Sequence, residues 1–191
     1  MHERMQTHTR IFKKRLNYVF EKSKIYESYE ILNFYKNVID SIENTEFKPK
    51  WNENYPNLKF IKKSILSEEL WIYKPKNKII ASIKINNEFP NEYDDVIWLT
   101  NPKSDEIVII HTFAINPNYM GNKIGMKIIN KIKENALKNN KKSIRIDVID
   151  GNEGAIKFFE HLGFEYVNTI EIYHNAVGLE KFHLYEFPLP D

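Results

Sequence analysis

Apolar residues recur along the chain at spacings that predict alternating helices and strands. Between residues 27 and 42 they repeat every three or four positions, which is typical of an amphipathic helix. A similar but shorter pattern predicts a second helix at Leu58–Leu66. Upstream of both, Ile11–Phe20 is expected to contain a first strand, although its alternation of apolar and polar residues is poor. The amino-terminal part of the chain therefore has the order strand, helix, helix.

A strand hairpin is expected next. Leu70–Tyr73 and Ile79–Ile85 are apolar runs that flank the turn-forming residues Pro75-Lys76-Asn77. The polar connection that follows, Asn86–Asp105, is long for a loop inside a compact domain. Long loops often lie beside functional sites, so this connection is expected to act as a lid.

The remaining pattern alternates between strand and helix. Glu106–Asn116 and Ser143–Ile149 are predicted strands, and Ile124–Lys138 and Glu153–His161 are predicted helices. A helix between two strands implies that the strands pair in parallel. A closing antiparallel hairpin is expected from Tyr166–Tyr173 and Phe182–Phe187. The buried side of the first of these helices is predicted to consist of Ile124, Ile128, Ile129, Ile132 and Leu137.

These elements predict an α/β protein with a mixed sheet and helices on both faces. Its 191 residues, 42% of them hydrophobic, suit one domain spanning residues 1–191 with a sizeable core. Residues 1–10 are polar and are expected to lack order.

Charge and cysteine content narrow the function classes. The net charge is only +2, from 28 basic and 26 acidic residues, so no nucleic-acid partner is expected. Cysteine is absent, which excludes disulfides, thiolate metal sites and a cysteinyl acyl-enzyme. No apolar run approaches the roughly 20 residues that span a bilayer, so no membrane partner and a cytoplasmic location are expected. No metal-ligand spacing is recognisable either. A homodimer is one assembly that the sequence leaves open.

A glycine-containing turn, from Met120 to Gly125, connects the central strand to the next helix. Glycine permits conformations and close approaches that a β-carbon blocks, and a helix N-terminus offers unpaired N–H groups and a positive dipole end. Together these features predict an anion site suited to phosphate. Ordinary strand-to-helix loops use the same residues, so the turn alone does not decide between a binding site and a cap.

The residues around this turn resemble the GNAT family of N-acetyltransferases. The resemblance is dense over about residues 106 to 173 and looser before them. The dense part comprises Phe113–Gly125, Ile144–Val148, and Asn152 with Ala155, Phe158, Phe159, Glu160, Leu162, Gly163 and Phe164. The looser part comprises Trp51, Tyr55-Pro56 and the Ile79–Ile85 strand.

The resemblance implies a mostly antiparallel sheet whose parallel central strands splay apart at a coenzyme A site. Acetyl-CoA is the implied co-substrate. Its pantetheine arm should meet Phe113, Ala114 and Ile115, and a backbone N–H near Phe113 should face the thioester oxygen. The pyrophosphate should lie on the N–H groups of the Met120–Gly125 turn, and Met126 should open the helix after it. Further cofactor contacts should come from Asn152 and the predicted helix Glu153–His161. The corresponding residues are Met120, Gly121, Asn122, Lys123, Ile124, Gly125, Met126, Asn152, Phe158 and Phe159.

Four of these positions depart from the family pattern or allow a second interpretation. Met120 stands where Gln or Arg is usual, and Lys123 stands where glycine is usual but offers an ammonium to a phosphate. Phe159 stands where many relatives carry a tyrosine that protonates the departing thiolate. Asn152 also suits the N-cap of the following helix, and both roles can hold.

His111 is the predicted proton acceptor. It lies two residues before Phe113 on the central strand, and strand alternation predicts that the two share a face. Histidine titrates near neutral pH, and some family members carry a histidine with this role at the matching position. A hydrogen-bonded structural histidine is the alternative.

The acceptor side is less defined. Trp51, Tyr55 and Tyr35 are the predicted substrate-binding residues. Tyr93 and Trp98 are further aromatic residues that can line a pocket. The carboxylates that can attract an amine are Glu53, Glu92, Asp94 and Asp95.

The expected function is direct transfer of an acetyl group from acetyl-CoA to a primary amine of a small or amino-acid-like molecule. Acetylation of a protein N-terminus or lysine is one alternative and would need an open groove. A coenzyme A-binding module with little catalysis is the other, since Phe159 lacks a hydroxyl.

Overall fold

The structure, a computed structural model, describes residues 18–42, 49–174 and 178–190. Residues 1–10 and the first part of the expected Ile11–Phe20 strand lie outside these ranges. The elements, in chain order, are β1 (Tyr18–Lys22), α1 (Ser28–Ile42), α2 (Leu58–Leu66), β2 (Leu70–Pro75), β3 (Ala81–Asn86), β4 (Ile107–Ile115), α3 (Ile124–Lys138), β5 (Ser143–Ile149), α4 (Glu153–His161), β6 (Glu165–His174) and β7 (Gly178–Pro188).

Local chemistry accounts for where the helices begin and end. The side chain of Asn57 accepts a hydrogen bond from the Phe60 N–H at 2.9 Å and starts α2. Asn152 accepts one from the Ala155 N–H at 3.3 Å and starts α4. Gly163, with φ of +82°, follows the end of α4 in the left-handed conformation that terminates helices. Within the described residues, no helix combines the length and apolarity needed to cross a bilayer.

The seven strands form one sheet in the order β1-β2-β3-β4-β5-β7-β6. Neighbouring strands are antiparallel except for β4 and β5, which pair in parallel. The predicted fold class is therefore confirmed, including the parallel central pair. In the closing hairpin, β7 is the strand that pairs with β5, and β6 lies at the edge of the sheet.

Helices cover both faces of the sheet. On one face, α3 and α4 pack over strand residues such as Ile83, Ile110 and Ile146. On the other face, α1 and α2 pack over Leu70, Ile72 and Ala114. Residues 87–106, which connect β3 to β4, form a small cluster with β6 and β7 through Tyr93, Val96, Ile172 and Leu184. We refer to this connection as the 87–106 segment.

The buried side of α3 differs from the prediction at one position. Ile124, Ile128, Ile129 and Ile132 are buried as expected, but Leu137 is 41% exposed and Ala136 is buried instead. Ala136 is four residues after Ile132 and thus continues the same helix face, whereas Leu137 lies one residue further round. The prediction for Leu137 was wrong because Ala136, and not Leu137, lies at the helical spacing of the buried face.

Candidate active site

The site begins where the two parallel strands separate. Pairing between β4 and β5 ends at Ile110 and Ile146, although β4 continues to Ile115 and β5 to Ile149. Beyond the last pair, the edge of β4 that faces β5 has no strand to receive its hydrogen bonds. An extended ligand can therefore lie in this opening and use those backbone groups.

A β-bulge interrupts β4 at the same place. The register passes from Lys84–His111 to Ser82–Ala114, so Ile83 opposes both Thr112 and Phe113. Thr112 has φ of +47°, an uncommon value for a β-branched residue. Strained backbone of this kind concentrates at functional sites, where the surrounding structure holds it in place.

Two tyrosines hold the bulge from the α1–α2 face. The Tyr35 hydroxyl donates to the carbonyl oxygen of Thr112 at 3.0 Å and lies 3.1 Å from the hydroxyl of Ser82. The Tyr55 hydroxyl lies 2.6 Å from Oγ1 of Thr112. Burial is the main cause that raises the pKa of Tyr55 to about 12, so its hydroxyl keeps its proton at neutral pH.

A cavity of about 730 Å³ occupies the opening between β4 and β5 and extends to both ends of it. Most of the predicted cofactor residues line this cavity, and Asn122 does not. The lining set comprises Phe113, Ala114, Ile115, Met120, Gly121, Lys123, Ile124, Gly125, Met126, Asn152, Phe158 and Phe159. Asn122 instead donates from its side chain to the carbonyl oxygen of Tyr119 at 3.3 Å.

The Met120–Gly125 turn lies at one end of the cavity. Lys123 precedes α3 in the left-handed conformation, with φ of 58°, and no side chain within the described residues caps this helix at Lys123. The left-handed conformation explains why glycine is usual at this position in the family, since a β-carbon there costs about 1 kcal/mol. The first N–H groups of α3 remain available for an anion.

Gly125 is required by packing, which the sequence did not indicate. A β-carbon added at Gly125 would lie 2.8 Å from the ring of Phe158 and 3.0 Å from the side chain of Ile115. A side chain here would therefore strike the walls of the cavity. Packing is thus a reason for glycine at this position besides the close approach of a phosphate, which stays a prediction.

The ring of Phe159 is buried and lines the cavity. It makes edge-on contacts with Phe158, at 5.0 Å between ring centroids, and with Phe164, at 5.3 Å. Two candidates for the missing hydroxyl bond elsewhere, Tyr166 with Thr169 and Tyr185 with Glu160. Tyr173 does line the cavity.

His111 lines the cavity where the pairing of β4 with β5 ends, whereas Gly125 of the turn lies against Ile115 at the other end of the opening. Its Nε2 lies 2.8 Å from Oδ1 of Asn86, and that oxygen also accepts the Glu88 N–H at 3.2 Å. Nε2 therefore carries the proton, and Nδ1 is the basic nitrogen. Burial, followed by the positive charge of Lys84, lowers the pKa of His111 to about 4. The expected titration near neutral pH is thus corrected, and the role of His111 as proton acceptor stays a prediction.

His111 and Phe113 do not share a face, contrary to the prediction from alternation. Phe113 packs against the α3–α4 cluster and lies 6.2 Å from Phe158 between ring centroids. His111 follows Ile110, which belongs to that cluster, and so points to the other face. The bulge at Thr112 adds one residue and reverses the alternation.

Asp147 is the residue that the sequence reasoning missed. It follows Ile146 on β5 as His111 follows Ile110 on β4, so both side chains leave the sheet on the same face at the start of the opening. Asp147 lines the cavity, and its Oδ2 accepts a 2.6 Å hydrogen bond from the Tyr93 hydroxyl. Burial raises the pKa of Asp147, and the bond from Tyr93 partly opposes that rise. The available signal was a carboxylate between two apolar residues, Ile146 and Val148, of a predicted strand.

The predicted acceptor residues are separated by the structure. Trp51 and Tyr55 line the cavity beside His111, whereas Tyr35 is fully buried beneath it and does not line it. Tyr93 reaches the site indirectly, through Asp147. None of the four other carboxylates considered from the sequence lines the cavity, namely Glu53, Glu92, Asp94 and Asp95.

A family model described as the Acetyltransferase (GNAT) family matches residues 36–164, which is more than half of the 191-residue chain. The chain belongs to the GNAT acetyltransferase family. The matched region contains β4, the Met120–Gly125 turn, α3, β5 and α4. Most of the elements that form the cavity are therefore elements that the GNAT model describes, and its lining residues on β6 and β7 lie beyond the match.

Individual relatives agree with this assignment. The chain is 37% identical over 71 residues to an uncharacterised N-acetyltransferase of Methanocaldococcus jannaschii, a match that covers 37% of this chain but only 31% of that relative. A GNAT acetyltransferase of Streptococcus agalactiae has a TM-score of 0.74 at 16% identity, covering 91% of this chain and 96% of its own. A Salmonella typhimurium structure that includes its cofactor acetyl-CoA has a TM-score of 0.63 at 11% identity, covering 91% and 95%. At these identities the structural likeness establishes the fold.

Proposed function

We propose that this protein transfers the acetyl group of acetyl-CoA directly to a primary amine of a small molecule. One observation carries the proposal: the opening between β4 and β5 leads from the N-terminus of α3 to a pair of polar side chains, His111 and Asp147. A phosphate-bearing ligand and an amine can thus occupy opposite ends of one cavity. Membership of the GNAT family and the Salmonella structure with acetyl-CoA support the choice of donor.

The residues along the cavity suit coenzyme A. Apolar side chains such as Phe113, Ile115 and Phe158 offer contact to a flexible arm, and the edge of β4 beyond Ile110 offers N–H and C=O groups to its amides. The Met120–Gly125 turn offers the N–H groups of α3 and the Lys123 ammonium to a pyrophosphate. Acetyl-CoA supplies a thioester that is already activated. The chain therefore has to bind the two substrates, orient them and accept a proton.

The bulge gives the protein a means to stabilise the oxyanion of the transfer. Because Thr112 has a positive φ, the peptide unit between Thr112 and Phe113 departs from the usual orientation of peptide units that hydrogen-bond to a neighbouring strand. We expect the Phe113 N–H to donate to the thioester oxygen, where negative charge develops. Tyr35 and Tyr55 hold Thr112 in this conformation before the substrate binds.

The acceptor end favours a small molecule over a protein. Trp51, which precedes α2, and Pro90, on the 87–106 segment, both contribute to its walls, so two connections border the space beside His111 and Asp147. Acetylation of a protein N-terminus or lysine remains the alternative. A panel of small amines and short peptides, followed by detection of free coenzyme A thiol, separates the two.

The coenzyme A site is tested by reversing the charge of Lys123. Lys123→Glu is expected to weaken coenzyme A binding by about tenfold in calorimetry, because a carboxylate would face the pyrophosphate. Lys138→Glu is the matched control, since this exposed lysine ends α3 about 20 Å away. Lys123→Gly removes the ammonium but suits the left-handed backbone, and so separates charge from strain. Unchanged affinity in Lys123→Glu would contradict a pyrophosphate at this turn.

Restoring a hydroxyl at Phe159 tests how the thiolate departs. Phe159→Tyr is expected to raise turnover by about two- to tenfold, because a phenol beside the sulfur can protonate the leaving group. Phe164→Tyr serves as the control, since Phe164 is buried in the same aromatic cluster but does not line the cavity. A loss of coenzyme A affinity in Phe159→Tyr would mean that the ring is a packing residue. A binding module with little catalysis, the second alternative, predicts no turnover in either protein.

A further inference from the structure

We infer that the acceptor is a hydrophobic monoamine, with its ammonium bound by Asp147 and its apolar body held by the aromatic walls around Trp51 and Tyr55. This inference rests on the proposed function and specifies the class of acceptor. It makes Asp147 the recognition residue for the amine, and Tyr93 the residue that positions Asp147. It also distinguishes the acceptor from polyamines, aminoglycosides and free amino acids.

The position of Asp147 suits an ammonium. One carboxylate oxygen, Oδ2, is bonded to the Tyr93 hydroxyl at 2.6 Å, and the side chain lines the cavity beside the end of strand pairing. A carboxylate withdrawn from water is destabilised until a positive charge approaches it. Burial raises the pKa of Asp147, and no cation of the described residues is among the causes that shift it.

The charges around the cavity define the number and sign of the acceptor's charges. Among its described lining residues, Asp147 is the single carboxylate, and Lys123 is the single lysine or arginine. Lys123 lies in the turn at the coenzyme A end. Arg145, two residues before Asp147, is bonded to Glu186 at 3.0 Å and does not line the cavity. One carboxylate accommodates one ammonium. Lys84, whose charge acts on His111, pairs with Glu69 at 3.2 Å and does not line the cavity, so no described lining residue at this end offers a lysine or arginine to an acceptor carboxylate.

The walls beside Asp147 are apolar and aromatic. Trp51 and Tyr55 border the acceptor end on one side, and Pro90, Ile172 and Phe182 border it on another. A body rich in hydroxyls would leave its polar groups without partners against such walls. Aromatic and alkyl groups gain about 25 cal/mol for each Å² of apolar surface that they bury there.

Tyr93 controls the orientation of the carboxylate. The ring is 2% exposed and stacks on Phe89 at 5.9 Å, so its hydroxyl has little freedom. Because Oδ2 is engaged by this hydroxyl, Oδ1 is the oxygen left to bind an amine. The 87–106 segment, expected from the sequence to be a lid, thus contributes to the site through a fixed hydrogen bond.

The experiment compares an amine with a neutral molecule of the same shape. Protein saturated with coenzyme A, which cannot acetylate, is titrated calorimetrically with 2-phenylethylamine and with 2-phenylethanol. The wild-type protein is expected to prefer the amine by at least about tenfold, and Asp147→Asn should reduce that preference to near unity. Asp150→Asn is the matched control, because Asp150 is exposed, bonds to His183 and does not line the cavity. Equal preference in wild type and Asp147→Asn would overturn the inference.

A second variant keeps the test valid if Asp147→Asn folds poorly. Tyr93→Phe removes one hydroxyl and is expected to raise KM for the amine by about three- to tenfold with a smaller change in kcat. Turnover with putrescine and with phenylalanine should be far below that with 2-phenylethylamine. Comparable kcat/KM values for putrescine or phenylalanine would also overturn the inference. Failure of coenzyme A itself to bind would instead contradict the proposed function, so the two failures are distinguishable.

Discussion

Replacing His111 with glutamine is expected to lower turnover by about a hundredfold at neutral pH. In the wild-type protein Nε2–H bonds to Asn86, which leaves Nδ1 as the nitrogen that accepts a proton from the attacking amine. A glutamine amide keeps a polar group at this position but is not a base. Initial rates at saturating acetyl-CoA measure the effect, and calorimetry with coenzyme A should give nearly the wild-type affinity. Wild-type turnover in the variant would make His111 a structural residue.

The pH dependence gives an independent check on the same residue. Because burial lowers the pKa of His111 to about 4 from its ordinary 6.5, the imidazole is neutral at every pH well above 4. The kcat profile should therefore show no break near pH 6.5 from this group. Asn86→Asp places a carboxylate beside Nε2, which favours the charged imidazole and should move the break upward toward neutral pH. A wild-type break at pH 6.5 that disappears in His111→Gln would contradict the effect of burial.

Local patterns explain how much of the fold was predictable. Helices α2, α3 and α4 and strand β5 have the predicted bounds, because each is framed by its own apolar spacing and end signals. The parallel pairing of β4 with β5 followed from the helix between them. The Met120–Gly125 turn at the start of α3 was also predictable as a turn, since its glycines and the helix after it are adjacent in the sequence. Leu137 was misassigned because it is adjacent to Ala136, which is the residue buried on this helix face.

The acceptor side was not predictable in the same way, because it depends on contacts between distant segments. Strand alternation placed His111 on the face of Phe113, but a bulge stabilised by Tyr35 and Tyr55 reverses it. The carboxylate of Asp147 is bonded to Tyr93, which lies 54 positions away in the chain. No local spacing in the sequence indicates either interaction. The same limit applies to the ion pair between Arg145 and Glu186, since both side chains also bond to Thr100 on the 87–106 segment.

Replacing Arg145 with methionine is expected to destabilise the protein by about 3–5 kcal/mol, because it leaves a buried carboxylate without its cation. Glu186 has no exposed surface and accepts hydrogen bonds from Arg145 at 3.0 Å, from the N–H and hydroxyl of Thr100, and from Ser143. Arg145 also donates to the Thr100 carbonyl oxygen at 3.1 Å and stacks over Trp98. Urea denaturation of the two proteins measures the difference.

Two further variants show whether the loss arises from the uncompensated charge. Lys22→Met breaks the Lys22–Glu68 pair, whose N–O distance is 2.7 Å but whose side chains are 41% and 74% exposed, and should change stability little. Adding Glu186→Gln to Arg145→Met removes the stranded charge and should recover more than half of the lost stability. Because Thr100 and Trp98 lie on the segment that carries Tyr93, the single variant should also weaken amine binding at Asp147. Full stability in Arg145→Met, or no recovery in the double variant, would mean that packing and not the ion pair holds the segment against the sheet.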